Sequence, residues 1–501
     1  MTLELIRRLC DHATDRPRAE ALRELGGEGG TDRVMTYSEL RRAVLALGLR
    51  IRDDFPPGAV VMICYPNQLE CIVAFLGVIC AGATAFPIHP KLADSELLAA
   101  SKHARAVAVM GVPHVLDVLR SAGLTALECH DLVPEPQALA CANAAASFDV
   151  DVSSAARLLL QSSGTTGTPK IVERSGSSLD AVARNVATSV RLTPADRVLG
   201  LVPACHSYGV ENVLVGPIWA GCCVHLCRKL DARMVMDQLV SGGITVLPGV
   251  PSMFEMLAQL GSAPGPLVTL RCAYSAGSPL PLAVFEAFEQ RFGVRIGQLF
   301  GMTELGSVTF NDPHAAGHDP ASVGRPMKDV DVLIVDPDTK RLDAPLGPGE
   351  EGEVVFSAPS MLTGYLREED AVCEQPSAMQ NGYFFTGDLG RLDGQGNLTI
   401  TGRLKLVIDV GGHKVNVLEV ERVLCTHPAV RECLVMPVRV SETVLRLKAL
   451  IVGRNPDEDI PINALRNHLR AHLSAHKIPR ILEVVESLPR SATGKVRRLP
   501  L

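Results

Sequence analysis

The chain has 501 residues, 47% hydrophobic and 21% charged, which is the composition of a globular protein long enough for two or three domains. Its 55 acidic residues exceed its 49 basic residues, and this balance argues against a dedicated nucleic-acid binder, which needs a dominant basic face. It leaves room for a small anionic ligand held by a few local groups.

The N-terminal stretch 1–17 carries apolar and charged residues at helical spacing. It has no continuous apolar segment, so it is not a signal peptide. The longest apolar run, 71–86, contains two glycines and ends at Pro87. It is shorter than the roughly 20 residues that a membrane-spanning helix requires, so we expect no membrane span.

Up to about residue 320, short β-branched runs alternate with helical stretches. We predict strands at 60–64, 106–110, 197–202 and 244–247, and helices at 69–80, 179–190 and 234–241. Strands that alternate with helices predict α/β units with largely parallel sheets.

The pattern of predicted elements changes after about residue 320. Short strands predicted at 330–335, 352–356 and 397–400 are separated by glycine- and proline-rich turns, which indicates a small antiparallel barrel or sheet. From Arg403 onward we predict a small α+β unit with helices near 417–426 and 462–475. We therefore divide the chain into an N-terminal domain, 1–402, and a C-terminal domain, 403–501.

The fourteen cysteines form no C-x-x-C pair, so the sequence offers neither a zinc ribbon nor a thioredoxin-like pair. Cys222, Cys223 and Cys227 lie together in an apolar run, and we interpret them as buried strand residues acting as small hydrophobes. Unpaired, scattered cysteines indicate a reducing compartment, and we expect a cytoplasmic protein.

The strongest local motif follows a predicted strand and runs from Leu158 to Lys170, LLLQSSGTTGTPK. Small hydroxyl residues and glycines allow backbone N–H groups to surround phosphate oxygens, and Lys170 adds a positive charge. A Walker A loop would need glycine before the lysine, where this chain has Pro169. A surface linker would share this composition, but the preceding strand and the terminal lysine favour a phosphate site.

This motif resembles the signature of the adenylate-forming (acyl-activating) enzymes, which include acyl- and aryl-CoA ligases, firefly luciferase and the adenylation domains of peptide synthetases. The resemblance continues in order through four further segments: QLFGMTE at 298–304, YFFTGD at 383–388, TGRLK at 401–405 and PRSATGK at 489–495. It covers the chain from about residue 35 to its end. It implies an α/β N-terminal domain followed by a small, mobile α+β C-terminal domain.

The resemblance assigns the ATP site residue by residue. It implies the following ATP contacts: Ser162, Ser163, Gly164, Thr165, Thr166, Gly167, Lys170, Ser275, Gly277, Phe300, Asp388 and Arg403. Within this set, Phe300 replaces the usual tyrosine that stacks on adenine, and Asp388 would hold the ribose hydroxyls. Without the resemblance, Asp388 would be an ordinary turn residue and Arg403 a surface ion-pair partner.

Four residues are implied in catalysis, namely Thr303, Glu304, His206 and Lys495. Thr303 would contact phosphate, and Glu304 would hold Mg²⁺ as a hard oxygen ligand. Lys495 would stabilise negative charge as pyrophosphate leaves. On their own, Thr303 and Glu304 could simply begin a helix, and Lys495 could be part of a solvated basic tail.

The implied acid pocket is lined by His206, Ser207, Tyr208, Val250 and Gly277. Amino-acid-activating members of the family carry an aspartate at the position of Ser207, where it pairs with the substrate ammonium. We therefore expect a fatty or aryl acid and not an α-amino acid. The nearby Glu211 and Asn212 could be polar pocket groups or merely a helix start.

Gly411, Gly412 and His413 resemble the loop that lines the thiol channel, and Lys405 occupies the hinge position of the family. Together these residues imply ATP, Mg²⁺ and coenzyme A, or the phosphopantetheine of a separate acyl carrier protein. The expected reaction is activation of a carboxylic acid to an acyl-adenylate, followed by transfer to the thiol. There are two alternatives. One is a ligase that loads only a carrier protein, and the other is a non-catalytic relative that binds a nucleotide.

Overall fold

The computed structural model describes residues 3–26, 30–133, 156–162, 170–260, 265–410, 413–441, 444–455, 458, 460–490 and 496. The chain divides into two compact units. The larger comprises Met1–Ser162, Pro169–Asp331 and Phe356–Phe384, and the smaller comprises Ser163–Thr168, Val332–Val355 and Phe385–Leu501. The domain boundary between 402 and 403 stays a prediction.

The first sheet of the larger unit has nine strands. In spatial order they are Arg325–Pro326, Gly306–Asn311, Ile296–Met302, Cys272–Ser275, Val246–Gly249, Arg197–Gly200, Cys223–Leu226, Glu20–Glu24 and Arg33–Thr36. The four strands from Ile296–Met302 to Arg197–Gly200 are parallel neighbours. Their carboxyl ends therefore lie at one edge of the sheet, which is where open α/β sheets bind ligands.

The second sheet of the larger unit has eight strands. In spatial order they are Cys373–Glu374, Gly364–Leu366, Ile171–Ser175, Arg157–Gln161, Thr84–Pro87, Val60–Cys64, Ala108–Gly111 and Thr125–Ala126. The strands Arg157–Gln161, Thr84–Pro87 and Val60–Cys64 run parallel. Arg157–Gln161 and Ile171–Ser175 are antiparallel, and the predicted phosphate loop connects them.

Helices of the larger unit cover both sheets. Their bounds are Glu4–Asp15, Tyr37–Asp54, Leu69–Cys80, Asp94–His103, Pro113–Ser121, Gly176–Ser189, Ser207–Gly209, Gly216–Ala220, Ala232–Val240, Pro251–Gln259 and Leu282–Phe292, with a 3₁₀-helix at His130–Leu132 and a π-helix at Val210–Val215. Every residue of Leu69–Cys80 is buried, since this helix belongs to the largest hydrophobic core. The sequence did not predict the π-helix.

The remaining elements are small. A five-stranded sheet has the order Asp331–Val335, Gly352–Ser357, Tyr383–Leu392 and Met379–Gln380, with Leu398–Arg403 paired to Tyr383–Leu392.

The C-terminal part contains the strand pair Val407–Val410 and His413–Asn416, the three-stranded sheet Val430–Ser441, Val444–Gly453 and Ile481–Val484, the helices Val417–Cys425 and Ile462–His472, and the 3₁₀-helices Leu404–Leu406 and Ala475–Lys477. Its core lies between these helices and the three-stranded sheet.

The predicted fold class is confirmed. Strand Val60–Cys64 and helix Leu69–Cys80 have the predicted bounds. The strand lies in a short apolar run between Gly58 and Pro66, and the helix ends just before Gly82, which has φ +73°. Cys222, Cys223 and Cys227 are buried, as we interpreted them. No helix among the described residues is long and apolar enough to cross a membrane.

Candidate active site

Predicted site residues converge at the carboxyl-end edge of the nine-stranded sheet. Val250 and Thr303 directly follow two of its four adjacent parallel strands. Gly277 comes two residues and Ser207 seven residues after the ends of the other two. Parallel neighbours end at the same edge, so the topology collects these four segments although they are far apart in the sequence.

On the acid side, Tyr208 connects two of these strand ends. Its hydroxyl donates a hydrogen bond to the Gly249 carbonyl at 3.1 Å and lies 3.4 Å from the Tyr274 carbonyl. Burial raises the pKa of Tyr208 well above its usual value, so the side chain remains a neutral phenol. Gly277 has φ +86°, and a Cβ there would lie 3.9 Å from Val250 Cγ1. These contacts place Tyr208 near Val250 and Gly277.

Ser275 lies at the end of its strand and is 2% exposed. It is opposite Gly249 on one side and Gln298 on the other. Its buried hydroxyl has no hydrogen-bond partner within the described part of the chain. A buried polar atom in this position is available to a ligand at the sheet edge.

His206 lies beside His89, a residue that the sequence did not single out. The two imidazole rings are stacked, with centroids 6.4 Å apart and an interplanar angle of 25°. Burial lowers the pKa of His89, which favours its neutral form. His89 comes two residues after the strand Thr84–Pro87. Its position beyond a strand end was the only sequence signal that could have found it.

On the phosphate side, Tyr365 brings Glu304 and Lys170 together. The Tyr365 hydroxyl donates to Glu304 Oε1 at 2.9 Å, and the Lys170 ammonium lies 4.6 Å from the centre of the Tyr365 ring. Burial and the neighbouring carboxylate raise the pKa of Tyr365 well above its usual value. The sequence missed Tyr365, which belongs to none of the recognised motifs.

The base of the predicted phosphate loop is closed by hydrogen bonds. The backbone N–H and the hydroxyl of Ser162 donate to the Lys170 carbonyl at 2.8 and 3.3 Å. The tip of the loop lies outside the described residues, and it includes the predicted contacts Ser163, Gly164, Thr165, Thr166 and Gly167. These ATP contacts stay predictions.

Phe300 presents an aromatic face near this edge. Its ring stacks on Phe356, with centroids 5.9 Å apart and an interplanar angle of 24°. Phe300 is half-buried, so part of its ring is accessible. A half-covered ring of this kind is suited to stack against a planar base.

If the chain carries out the expected adenylation, we expect Tyr365→Phe to raise the Mg²⁺ concentration that this reaction requires. The change removes the hydroxyl that orients Glu304 but keeps the ring beneath Lys170. One hydrogen bond to a charged group is worth about 1.5 kcal/mol, or roughly tenfold in activity at limiting Mg²⁺. Pyrophosphate exchange measured across a Mg²⁺ titration checks this. Tyr383→Phe, which removes a hydroxyl from Asp331, is the matched control, and equal Mg²⁺ dependence in both variants would contradict the assignment.

In the smaller unit, Asp388 and Arg403 face each other across two antiparallel strands. Arg403 Nε lies 2.6 Å from Asp388 Oδ1, and the Asp388 side chain is 2% exposed. Thr386 Oγ1 accepts from the Asp388 backbone N–H at 3.0 Å. The preceding Gly387 has φ +70°, a conformation that favours glycine. The motif therefore builds a fixed, buried carboxylate beside a guanidinium.

The other predicted residues are placed only in part. Lys405 is exposed in the 3₁₀-helix Leu404–Leu406, and His413 begins the strand His413–Asn416. Gly411, Gly412 and Lys495 lie outside the described residues. The hinge, the thiol channel and the catalytic lysine stay predictions.

A buried ion pair contacts Ser207 of the predicted acid pocket. Arg174 is 0% and Glu211 1% exposed, and Arg174 Nη1 donates to Glu211 Oε1 at 2.6 Å. The Ser207 hydroxyl donates to the same oxygen at 2.6 Å. Glu211 Oε2 accepts from the Ser307 backbone N–H and hydroxyl at 2.8 and 2.6 Å. Glu211 is therefore committed to protein donors through both oxygens.

Two family models match the chain. The model described as AMP-binding enzyme matches residues 9–366, and the model described as AMP-binding enzyme C-terminal domain matches residues 419–495. The first match alone spans well over half of the chain. It includes the sheet edge with Glu304, Tyr365 and the predicted acid pocket.

Curated relatives and solved structures resemble the chain over most of its length. The sulfoacetate–CoA ligase of Cupriavidus necator is 30% identical over 89% of this chain and 87% of its own length. The 2-succinylbenzoate–CoA ligase of Geobacillus kaustophilus is 32% identical over 68% of each chain. The O-succinylbenzoate coenzyme A synthetase of Bacillus subtilis, solved in complex with ATP and magnesium ion, is 25% identical with a TM-score of 0.81 and 98% coverage of both chains.

Proposed function

Because this chain belongs to the AMP-binding enzyme family, we propose how its residues perform the reaction of an AMP-forming acid–CoA ligase. The enzyme activates a carboxylic acid as an acyl-adenylate and then transfers the acyl group to coenzyme A. In the first step the acid carboxylate attacks the ATP α-phosphate, and pyrophosphate leaves. In the second, the thiol attacks the acyl carbonyl, AMP leaves, and the thiol proton is lost to solvent.

Glu304 is the residue that would hold Mg²⁺. No group of three histidine, cysteine or acidic side chains in the described ranges is placed to bind a metal ion by itself. This suits Mg²⁺, which commonly takes one carboxylate and completes its shell with substrate phosphates and water. When bound, the ion would offset phosphate charge. Lys170, which lies beside the tyrosine that orients Glu304, adds a second positive charge for the phosphates.

For the nucleoside we propose two contacts. Phe300 stacks on adenine, and this is supported by its half-exposed ring. Asp388 accepts hydrogen bonds from the ribose hydroxyls, and its buried carboxylate beside Arg403 suits that task because two oxygens can serve a vicinal diol. Arg403 holds the carboxylate in place through a charge-assisted contact.

The acid side supports a substrate without an α-ammonium group. Ser207 has no negative charge to form an ion pair with an ammonium. The carboxylate that accepts its hydrogen bond, Glu211, already accepts from Arg174 and Ser307. The tyrosine, valine and glycine that line this side are uncharged. We therefore propose a fatty or aryl acid whose non-reacting part lies against Tyr208 and Val250.

For thiol transfer we propose that the segment around Lys405 rearranges so that Gly411, Gly412 and His413 line the path of the pantetheine arm. Glycine leaves room for a narrow thioester arm close to the backbone. Coenzyme A is the favoured acceptor. The phosphopantetheine of a separate carrier protein is the alternative acceptor, and it uses the same chemistry.

The observation that carries this proposal is the joint placement of Glu304, Tyr365 and Lys170 in the same unit as the acid-pocket segment at the sheet edge. The test is a hydroxamate-trapping screen with ATP and a panel of fatty, aryl and α-amino acids. The best acid is then offered with coenzyme A or with a phosphopantetheinylated carrier protein. Trapping with a fatty or aryl acid and thioester formation with coenzyme A are expected. Trapping only with α-amino acids, or no trapping with folded enzyme, would overturn it.

A further inference from the structure

Glu211 joins two parts of the site that are distant in the sequence. Through Oε1 it binds Ser207 of the predicted acid pocket, and through Oε2 it binds Ser307, 96 residues further along the chain. Ser307 follows the turn that contains Thr303 and Glu304 by only a few residues. A single carboxylate therefore connects the acid side to the phosphate side.

The position requires a carboxylate of this length. One oxygen faces the Arg174 guanidinium and the other faces the Ser307 backbone N–H, and both of these groups can only donate. A glutamine would turn its own NH₂ group towards one of them. An aspartate would keep the charge, but its shorter side chain could not reach both serines.

The surrounding backbone is built around this carboxylate. Gly306 has φ +73°, and a Cβ there would lie 2.6 Å from Arg174 Nη2 and 3.2 Å from Glu211 Oε1, so glycine alone fits. Glu211 itself lies in the π-helix Val210–Val215. Such π-helical turns are rare and often occur at functional sites.

The same helical segment carries a second connection. Asn212 Nδ2 donates to the Tyr208 carbonyl at 3.1 Å, and the Tyr274 hydroxyl donates to Asn212 Oδ1 at 3.0 Å. Tyr274 immediately precedes Ser275 at the end of its strand. The π-helix is thereby tied to the end of the strand Cys272–Ser275, and Glu211 is the charged residue of this π-helix.

We propose that Glu211 is a positioning residue for acyl-adenylate formation. It holds the 206–208 segment and the Thr303–Glu304 turn at the separation at which the acid carboxylate meets the α-phosphate. The inference rests on the acid–CoA ligase reaction proposed above. Because Glu211 sets geometry and binds neither substrate, its loss lowers kcat for adenylation more than it raises KM for ATP or acid. A misplacement of about 1 Å can reduce a rate about 100-fold.

The test compares Glu211→Asp with wild type in steady-state pyrophosphate exchange, with the acid and ATP varied in turn. Glu211→Asp keeps a negative charge beside Arg174, but the shorter side chain cannot hydrogen-bond to Ser207 and Ser307 at the same time. We expect kcat to fall at least about tenfold, with both KM values within about threefold of wild type. The folded fraction of each variant is followed by the fluorescence of the single tryptophan, the buried Trp219 of the same unit.

Glu24→Asp is the matched control. Glu24 is also a buried glutamate, 3% exposed, that pairs with arginines and accepts from a backbone N–H, that of Leu69 at 3.1 Å. None of its partners is a predicted site residue. Shortening it removes the same methylene from a comparable network, so we expect a similar loss of stability and an unchanged kcat.

Three results would overturn the inference: kcat of Glu211→Asp within twofold of wild type, a loss that appears only in KM, or an equal loss of kcat in Glu24→Asp. If Glu211→Asp does not fold, Ser307→Ala takes its place, because it removes only one hydroxyl donor from Glu211 Oε2. We expect this variant to lower kcat about threefold. An unchanged kcat would overturn the inference. If the folded wild-type protein shows no pyrophosphate exchange with any acid, both this inference and the proposed function are wrong. If wild type is active and only the expected effect of Glu211→Asp is missing, the inference alone is wrong.

Discussion

We expect Lys495→Ala to reduce acid-dependent pyrophosphate exchange by about 10²–10³-fold. Negative charge builds on the α-phosphate oxygens as pyrophosphate leaves, and a positioned donor at such a site is worth about 3–4 kcal/mol in the transition state. Thioester formation from supplied acyl-adenylate should be much less affected, because that step expels AMP and does not form the bond to phosphorus. Measuring both half-reactions on one preparation checks the prediction.

Arg498→Ala is the control for Lys495→Ala. It removes one positive charge from the same basic C-terminal segment, where Arg497 also lies. If general electrostatic attraction of ATP were the cause, both variants would lose exchange to a similar extent. Equal loss of both half-reactions in Lys495→Ala would show that this lysine is not specific to adenylation.

We expect Arg174→Met to lower the free energy of unfolding of the larger unit by about 3–5 kcal/mol. Arg174 is 0% exposed, and its removal leaves the Glu211 carboxylate buried without its cation. Breaking one partner of a buried ion pair is much more costly than the net value of the pair. Denaturant unfolding followed by Trp219 fluorescence, which reports this unit, measures the change.

The double variant Arg174→Met/Glu211→Met separates charge burial from packing. It leaves no uncompensated charge, so it should be more stable than Arg174→Met alone although the Ser307 N–H loses its acceptor. A double variant that is less stable than the single one would show that the loss comes from packing around the guanidinium and not from the buried charge.

The alternation of elements was readable from the sequence because its signals are local. Apolar segments predict Val60–Cys64 and Leu69–Cys80, and glycine and proline mark the turns between the later strands. The segment 162–170, which we predict to bind phosphate, was identified in the same way, since its hydroxyl residues, glycines and lysine are consecutive. Asp388 and Arg403 were identified by their motifs, although only the pairing of their strands places them 2.6 Å apart.

The partners of the site residues were decided only by the tertiary structure. Tyr365 is 61 residues from Glu304, and Ser307 is 96 residues from Glu211. His89 meets His206 because two strand ends from different sheets approach each other in one unit. No period or spacing encodes such contacts, since they depend on strand order and on a π-helix that shifts the register of its side chains. The sequence by itself determined the family and the fold class and predicted a chemistry for each motif, and the packing of sheets and helices determined which side chains contact the motif residues that the structure describes.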